Sequence, residues 1–293
     1  MITELIKKIV EILKINKMMK NDKTQKPGYE TYWGKMFDFL NTNTTIQTVG
    51  LYQSGDVTQT SSSLREEWEK LNLFEQKDAQ NHYTQLLIEG ENVRVKDGKE
   101  YLKVKSEYIS KKIKSLASSE TDCVIELGSG WGRNIISNHL LNPGWELHGG
   151  ELTDEGQRSL NHFIKKFNLS NVNSFYFNWC DVSSFYELFK DKEYKEIIIY
   201  SIHSIEQVSN LDIEQFRKIL SLPFKIKFFH VEPCSWQWVP PRKINGWNEN
   251  FKEILDTLEK ENLIENLKVD VNGCKLNLTG SGAEGVSITY KKL

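Results

Sequence analysis

The chain has 293 residues, of which 39% are hydrophobic and 27% are charged, and its formal net charge is −2. This length can bury one large core and an accessory layer, and the nearly balanced charge gives no global electrostatic reason to expect a nucleic-acid partner. The four cysteines form no C-x-x-C pair, which argues against a structural zinc site and favours a reducing, cytoplasmic location.

The N-terminal segment has an amphipathic pattern. Lysines separate its apolar residues, which recur at helical spacing: Ile2, Leu5, Ile6, Ile9, Val10 and Leu13. We expect this helix to pack against its own protein or to form a homodimer contact, with an anionic membrane surface as the less favoured alternative. No segment is long and apolar enough to span a bilayer, so we expect no transmembrane segment.

The residues before the first long apolar strand predict an accessory region at 1–103 that is mainly helical. Its composition predicts an aromatic helix at 29–40, a polar loop at 41–62, a helix at 63–87, and a hairpin at 93–104 that turns at Asp97-Gly98.

A glycine-rich turn follows the apolar run at 123–127. The run suits a strand that is covered on both faces, and Gly128, Gly130 and Gly132 let the chain turn without Cβ clashes before a helix at 134–141. The dinucleotide-binding pattern would place its third glycine where Arg133 stands, so the spacing G-x-G-x-G departs from that pattern.

This glycine turn, with Glu126 before it, resembles motif I of the class I S-adenosylmethionine (SAM) dependent methyltransferases. The resemblance implies SAM as the cofactor. It places the acid at position 126 near the methionyl amine and the turn beneath the cofactor, with roles for Glu126, Gly128, Ser129, Gly130 and Gly132. A turn with a purely structural role is the alternative.

Two further acids follow predicted strands in the expected order. A strand at 145–151 ends in Glu151, about twenty residues past the turn, where an acid reaches ribose hydroxyls in nucleotide-binding βαβ units. The strand at 172–177 runs into Asp181, where the resemblance implies a contact with the adenine amino group. Capping of a helix at 182–189 is the alternative role of Asp181.

Four more strands are predicted at 196–201, 226–233, 264–271 and 286–291. The resemblance implies that the last two close the sheet as an antiparallel pair. We therefore predict an α/β, Rossmann-like fold with a seven-stranded, mostly parallel sheet, which forms a methyltransferase domain at 104–293 beside the accessory region. The resemblance implies that the accessory region forms a lid over the active site or an acceptor-binding layer, with residues 29–87 as the candidates.

Two His/Glu pairs lie at the ends of the fourth and fifth predicted strands, which are neighbours in the strand order that the resemblance implies. Ligands bind beyond the carboxyl ends of such strands. We expect His203 to act as a general base, with Glu206 or Glu232 orienting it and His230 close by. Capping of strand ends is the alternative role of either histidine. A divalent metal held by Glu206, His230 and Glu232 ranks below a metal-free site, because hard cations prefer several oxygen ligands.

An aromatic segment after the fifth predicted strand favours an acceptor site. Trp236 and Trp238, with Tyr29, Tyr32 and Trp33 opposite, can stack on sugar rings or other flat groups. Packing beneath a long loop is the alternative role of these tryptophans.

Together, these features predict a SAM-dependent methyltransferase that acts on a hydroxyl of a saccharide or another small polar acceptor. The first alternative is an N-methyltransferase for an amine or a peptide side chain, because an amine needs positioning and carboxylates more than a strong base. The second is a non-catalytic SAM-binding partner or sensor protein.

Overall fold

The computed structural model describes residues 63–76, 85–88, 91–95, 98–238, 248–271, 274–275 and 286–293. The elements within these ranges are α1 (Leu64–Gln76), β1 (Gln85–Ile88), β2 (Glu91–Arg94), α2 (Gly98–Leu116), β3 (Thr121–Leu127), α3 (Arg133–Leu141), β4 (Glu146–Glu151), α4 (Asp154–Phe167), β5 (Val172–Tyr176), α5 (Ser183–Phe189), β6 (Glu196–Ile202), α6 (Ile213–Leu220), β7 (Lys225–Glu232), α7 (Phe251–Lys260), β8 (Ile264–Asp270), β9 (Cys274–Lys275) and β10 (Val286–Lys292). They form a three-stranded sheet in the order β2-β1-β9 and a seven-stranded sheet in the order β5-β4-β3-β6-β7-β10-β8.

The seven-stranded sheet confirms the predicted α/β, Rossmann-like fold. Strands β3 to β7 pair in parallel, whereas β10 pairs antiparallel with both β7 and β8. The final two strands therefore close the sheet as an antiparallel pair. Every residue of β6 is buried, as expected for a parallel strand with helices on both of its faces.

Two hydrophobic cores lie on opposite faces of this sheet. One contains Phe185, Phe216 and Phe251 from α5, α6 and α7. The other contains Ile113 and Phe163 from α2 and α4, together with residues of α3. Since side chains alternate along a strand, neighbouring residues of the strands that end at the site point into different layers.

The residues between α1 and α2 correct two predictions. The helix predicted at 63–87 ends at Gln76, and Gln85–Ile88 is strand β1 instead. The hairpin predicted at 93–104 is also wrong, because β1 pairs with β2 and Ile88 lies opposite Glu91, which places the connection at 89–90. Helix α2 begins at Gly98 instead, and its buried residues Lys105, Tyr108 and Ile109 recur at helical spacing.

The proposed boundary between residues 103 and 104 lies inside α2. Helix α2 makes contacts with α1, with α3 and with β7, so it links the two proposed regions. We retain the division into 1–103 and 104–293 as a proposal. Among the described helices, none has the length and apolar character needed to cross a membrane.

Candidate functional site

The glycine turn lies between β3 and α3, and all three of its glycines have positive φ angles: 83° at Gly128, 55° at Gly130 and 87° at Gly132. A Cβ on Gly128 would lie 1.9 Å from Ser204 Oγ, so no other residue fits there without displacing the chain after β6. The Gly128 N–H donates to Gly150 O at 2.8 Å. The turn is therefore fixed against two neighbouring strand ends.

Glu126 lies beneath the turn and is buried. Asn134 Nδ2 donates to its Oε1 at 2.6 Å, and Tyr200 Oη donates to its Oε2 at 3.2 Å. Burial raises the pKa of Glu126 to about 8, and the hydrogen bond from Asn134 opposes that rise. The carboxyl group is thus largely protonated at neutral pH, and a cation placed beside it would favour the ionised form.

Glu151 lies at the end of β4 and forms a hydrogen bond with the glycine turn. Its Oε2 accepts from Gly130 N at 2.8 Å, and its Oε1 accepts from Thr153 N at 2.9 Å and from Thr153 Oγ1 at 2.8 Å. A carboxylate has further lone pairs for ligand hydroxyls. Glu151 therefore has a structural contact with the turn in addition to the predicted contact with ribose.

Asp181 lies in the exposed turn between β5 and α5. Its Oδ1 accepts from Ser183 N at 3.0 Å, the first residue of α5. Val182 and not Asp181 occupies the N-cap position of α5, so the predicted capping role is corrected to this single contact from the residue before the cap. The contact leaves the second carboxylate oxygen for a ligand. Ser129, also predicted to bind the cofactor, is buried, and its N–H donates to Gly150 O at 2.8 Å.

His203 occupies the turn directly after β6, with a φ angle of 57°. Such a left-handed conformation is uncommon for residues other than glycine and occurs often at functional sites. Its Nδ1 lies 3.6 Å from Glu206 Oε2, and one third of the side chain remains exposed. Its Nε2 is buried, and none of the residues that the structure describes forms a hydrogen bond with it.

The charge of His203 is controlled by its surroundings. Burial lowers the pKa of the imidazole, and the Lys105 ammonium lowers it further, whereas the Glu232 carboxylate raises it. The ring is therefore neutral at physiological pH, so that a nitrogen lone pair is available to accept a proton.

His230 and Glu232 lie on β7 and are fully buried. The structure brings Glu232 to the His203 turn, where its Oε1 accepts from Ser204 N and its Oε2 from Glu206 N, both at 3.3 Å. His230 lies farther back, with its ring nitrogens at hydrogen-bond distance from Ser201 Oγ and Tyr290 Oη. Of the four residues predicted to act in catalysis, only His230 is thus separated from the turn by other side chains.

The predicted acceptor residues are only partly described. Trp236 and Trp238 are half-buried and pack against the core that contains Phe251, so packing accounts for part of each side chain. Tyr29, Tyr32 and Trp33 lie outside the described residues, as does the N-terminal amphipathic segment.

Two cations near the site were not predicted. Lys105 is a buried residue of α2, and Arg133 is the first residue of α3. Both lower the pKa of Glu126 and of His203 through their charge. Arg133 follows the glycine turn directly, which could have indicated its position, whereas nothing in the local pattern distinguishes Lys105 from the other lysines of α2.

The carboxylates and histidines do not assemble as metal ligands in the described part of the chain. Among those residues, no group of three or more His, Cys, Asp or Glu side chains has a suitable arrangement. Glu206, His230 and Glu232 do not form such a group, because Ser201 and Tyr290 occupy both nitrogens of His230.

Comparisons with solved structures identify the fold. The O-methyltransferase from Bacillus cereus, solved in complex with SAH, has a TM-score of 0.50 and 13% sequence identity, with 84% of this chain and 97% of that chain covered. The geranyl diphosphate C-methyltransferase from Streptomyces coelicolor A3(2) has a TM-score of 0.47 and 14% identity, with 65% and 76% covered. A SAM-dependent methyltransferase from Aquifex aeolicus has a TM-score of 0.42 and 12% identity, with 62% and 88% covered.

No family model matches the sequence, and no curated protein matches it. The likeness to the Bacillus cereus enzyme therefore shows the fold alone, which is the Rossmann-like fold that class I SAM-dependent methyltransferases have.

Proposed function

We propose that the protein is a SAM-dependent methyltransferase that transfers a methyl group to a hydroxyl of a small polar acceptor, such as a saccharide. The observation that carries this proposal is the glycine turn with acids on both sides. Glu126 is buried before the turn, where the resemblance places a contact with the methionyl amine. Glu151 accepts from the Gly130 N–H and lies where an acid reaches ribose hydroxyls in nucleotide-binding βαβ units.

SAM would supply an activated methyl group, and residues of this chain would bind and orient the cofactor. Glu126 offers a carboxyl group to the ammonium of the cofactor, and Glu151 and Asp181 offer acceptor oxygens to the ribose and the adenine. The positive φ angles of the glycine turn let backbone approach the ligand closely.

His203 accepts the acceptor's proton in this proposal. Its Nε2 has no hydrogen-bond partner among the described residues, and its Nδ1 faces Glu206 at 3.6 Å. With the Nδ1–H tautomer, Nε2 would take the hydroxyl proton as the oxygen gains the methyl group that SAM would supply, and SAH would leave once the sulfur–methyl bond is broken. The Glu206 carboxylate would stabilise the imidazolium that forms. His230 contributes from behind the turn and not by contact with the acceptor.

Two acidic residues of the site support the N-methyltransferase alternative. Glu206 and Glu232 both lie at the His203 turn, where a carboxylate can hold a protonated amine. We also propose a cytoplasmic location and a homodimer. Trp236 and Trp238 stack on the acceptor in this proposal.

The first test is calorimetric titration of the purified protein with SAM and, separately, with NAD. We expect saturable SAM binding and no NAD binding. NAD binding in place of SAM binding would refute the cofactor assignment. A screen with methyl-labelled SAM then begins with saccharides and includes amines, and mass spectrometry of the product identifies the methylated atom.

His203→Ala tests the base. We expect methyl transfer to slow by about two orders of magnitude or more while SAM affinity stays within a factor of about two, and His162→Ala on α4 serves as the matched control. Unchanged turnover in His203→Ala would exclude the base role. Tight SAM binding without transfer to any acceptor would instead favour the sensor alternative.

A further inference from the structure

Four buried side chains form a continuous hydrogen-bonded chain behind the His203 turn. Tyr290 Oη lies 3.0 Å from His230 Nε2, His230 Nδ1 lies 2.8 Å from Ser201 Oγ, and Ser201 Oγ donates to Glu232 Oε1 at 2.6 Å. The chain crosses from β10 through β7 and β6 to the carboxyl ends of the strands, where the site lies.

The direction of these hydrogen bonds follows from the number of protons. Ser201 has one hydroxyl proton, which it donates to Glu232, so it must accept from His230 Nδ1–H. A neutral imidazole has one N–H, and burial lowers the pKa of His230 to about 3, which keeps the ring neutral. His230 Nε2 therefore accepts from the Tyr290 hydroxyl, and every donor in the chain is directed towards the Glu232 carboxylate.

Glu232 connects this chain to the turn that carries His203. Its two oxygens accept from Ser204 N and Glu206 N, both at 3.3 Å. With Ser201, the carboxyl group accepts three hydrogen bonds, an arrangement that suits the ionised form because a protonated carboxyl must donate one of its own. Protonation of Glu232 would thus loosen the turn in which His203 has its left-handed φ angle.

Opposing effects act on the pKa of Glu232. Burial and the Glu206 charge raise its pKa to about 7, whereas the Ser201 hydroxyl lowers it. Glu206 and His203 face it from the turn, His230 lies on the same strand, and Cys234 follows that strand with a thiol whose pKa burial raises. Without the donors of the buried chain, Glu232 would therefore be protonated at physiological pH.

We propose that Ser201, His230 and Tyr290 are positioning residues that favour the ionised form of Glu232 and so hold the turn that presents His203. This inference deepens the proposed function, on which it rests for the role of His203. None of the three residues contacts the acceptor in this proposal, and each acts through Glu232.

The test is a titration of the histidine ring nitrogens by long-range ¹H–¹⁵N spectroscopy between pH 5 and 9, with neither SAM nor acceptor present. The His203 signal is assigned from its loss in His203→Gln. We expect His230 to be the Nδ1–H tautomer throughout, and the His203 signal to show an inflection near pH 7 that reports the titration of Glu232.

Ser201→Ala removes the donor to Glu232. Since a hydrogen bond to an ionised group is worth about one pKa unit or more, the inflection should move upward by at least about one pH unit. Ser221→Ala is the matched control, because its hydroxyl donates only to Lys218 O on α6, and it should leave the inflection unchanged.

Tyr290→Phe tests the far end of the chain and serves if Ser201→Ala does not fold. Loss of the donor to Nε2 should let the Nε2–H tautomer of His230 gain population, and the inflection should again move upward. An Nε2–H tautomer of His230 in the unaltered protein, or an inflection that stays in place in the folded variants, would overturn the inference. Because no cofactor is present, these results are independent of whether the protein binds SAM or transfers methyl groups.

Discussion

The burial of Glu126 predicts that cofactor binding depends on pH. The pKa of this carboxyl group in the unliganded protein is about 8, so about nine tenths of the molecules are protonated there at pH 7. If the cationic ammonium of SAM binds the ionised carboxylate, the protonated fraction must lose its proton first. The apparent dissociation constant is then raised about 11-fold at pH 7, which corresponds to about 1.4 kcal/mol.

Calorimetric titrations with SAM between pH 5.5 and 7.5 measure this effect while the ammonium of the ligand stays largely protonated. We expect the affinity to fall about 80-fold from pH 7.5 to 5.5, and about 0.9 proton to be released per SAM bound at pH 7. The released protons are counted by repeating the titration in buffers of different ionisation enthalpy. A pH-independent affinity without proton release would refute the reasoning.

Glu126→Gln isolates the carboxyl group. The amide can keep the contacts with Asn134 and Tyr200 but does not titrate, so SAM affinity should be weaker at pH 7.5 and independent of pH. Glu259→Gln, at an exposed position of α7, is the matched control and should retain the pH dependence of the unaltered protein.

The same group predicts a dependence of stability on pH. The pKa of Glu126 in the folded state lies above the value of about 4.3 in the unfolded chain, so the folded protein binds more protons between these values. Its contribution to stability is present in full below about pH 4 and is lost as the pH rises to about 8. Glu126→Gln should therefore flatten the pH dependence of the free energy of unfolding in this window, as measured by urea denaturation.

Three further outcomes are expected. Gly128→Ala should lower the free energy of unfolding by about 2–5 kcal/mol, from the left-handed backbone and the overlap with Ser204, whereas Gly144→Ala, which has no atom within 4 Å of the added Cβ, should change it by less than about 1 kcal/mol. Glu151→Ala should weaken SAM binding at least about tenfold in calorimetry, because Gly130 N loses its acceptor, and an unaltered affinity would contradict the ribose role. Methyl transfer should retain full rate in EDTA, and a loss that Mg²⁺ restores would revive a metal site.

The sequence by itself determined most of the sheet and the position of the glycine turn with the acids beside it. The apolar run that forms β3, the glycine turn and the acid at 126 are close together in the chain, so spacing alone relates them to one another. Glu151 could be predicted for the same reason, because it ends the next strand. The order of the remaining strands followed from their separation by helical segments and from the resemblance.

The accessory region was predicted less accurately. Asp97-Gly98 is a common hairpin turn pair, whereas Glu89-Gly90 is not. The pairing of β1 with β2 and with β9 nevertheless shows that residues 89–90 connect the two strands. The partner β9 lies far along the chain, and such a non-local contact leaves no trace in the pattern of residues around position 88.

Only the tertiary structure decided what supports the proposed base. Ser201, His230 and Tyr290 lie on three different strands, and nothing in their spacing predicts that they point into the same layer and join Glu232. Lys105 lies on α2, and nothing in its local sequence predicts that its charge lowers the pKa of His203 and of Glu126. Local periodicity encodes which face of an element is buried, whereas the hydrogen bonds and charges at the site depend on the register between strands, which is fixed only when the whole sheet packs.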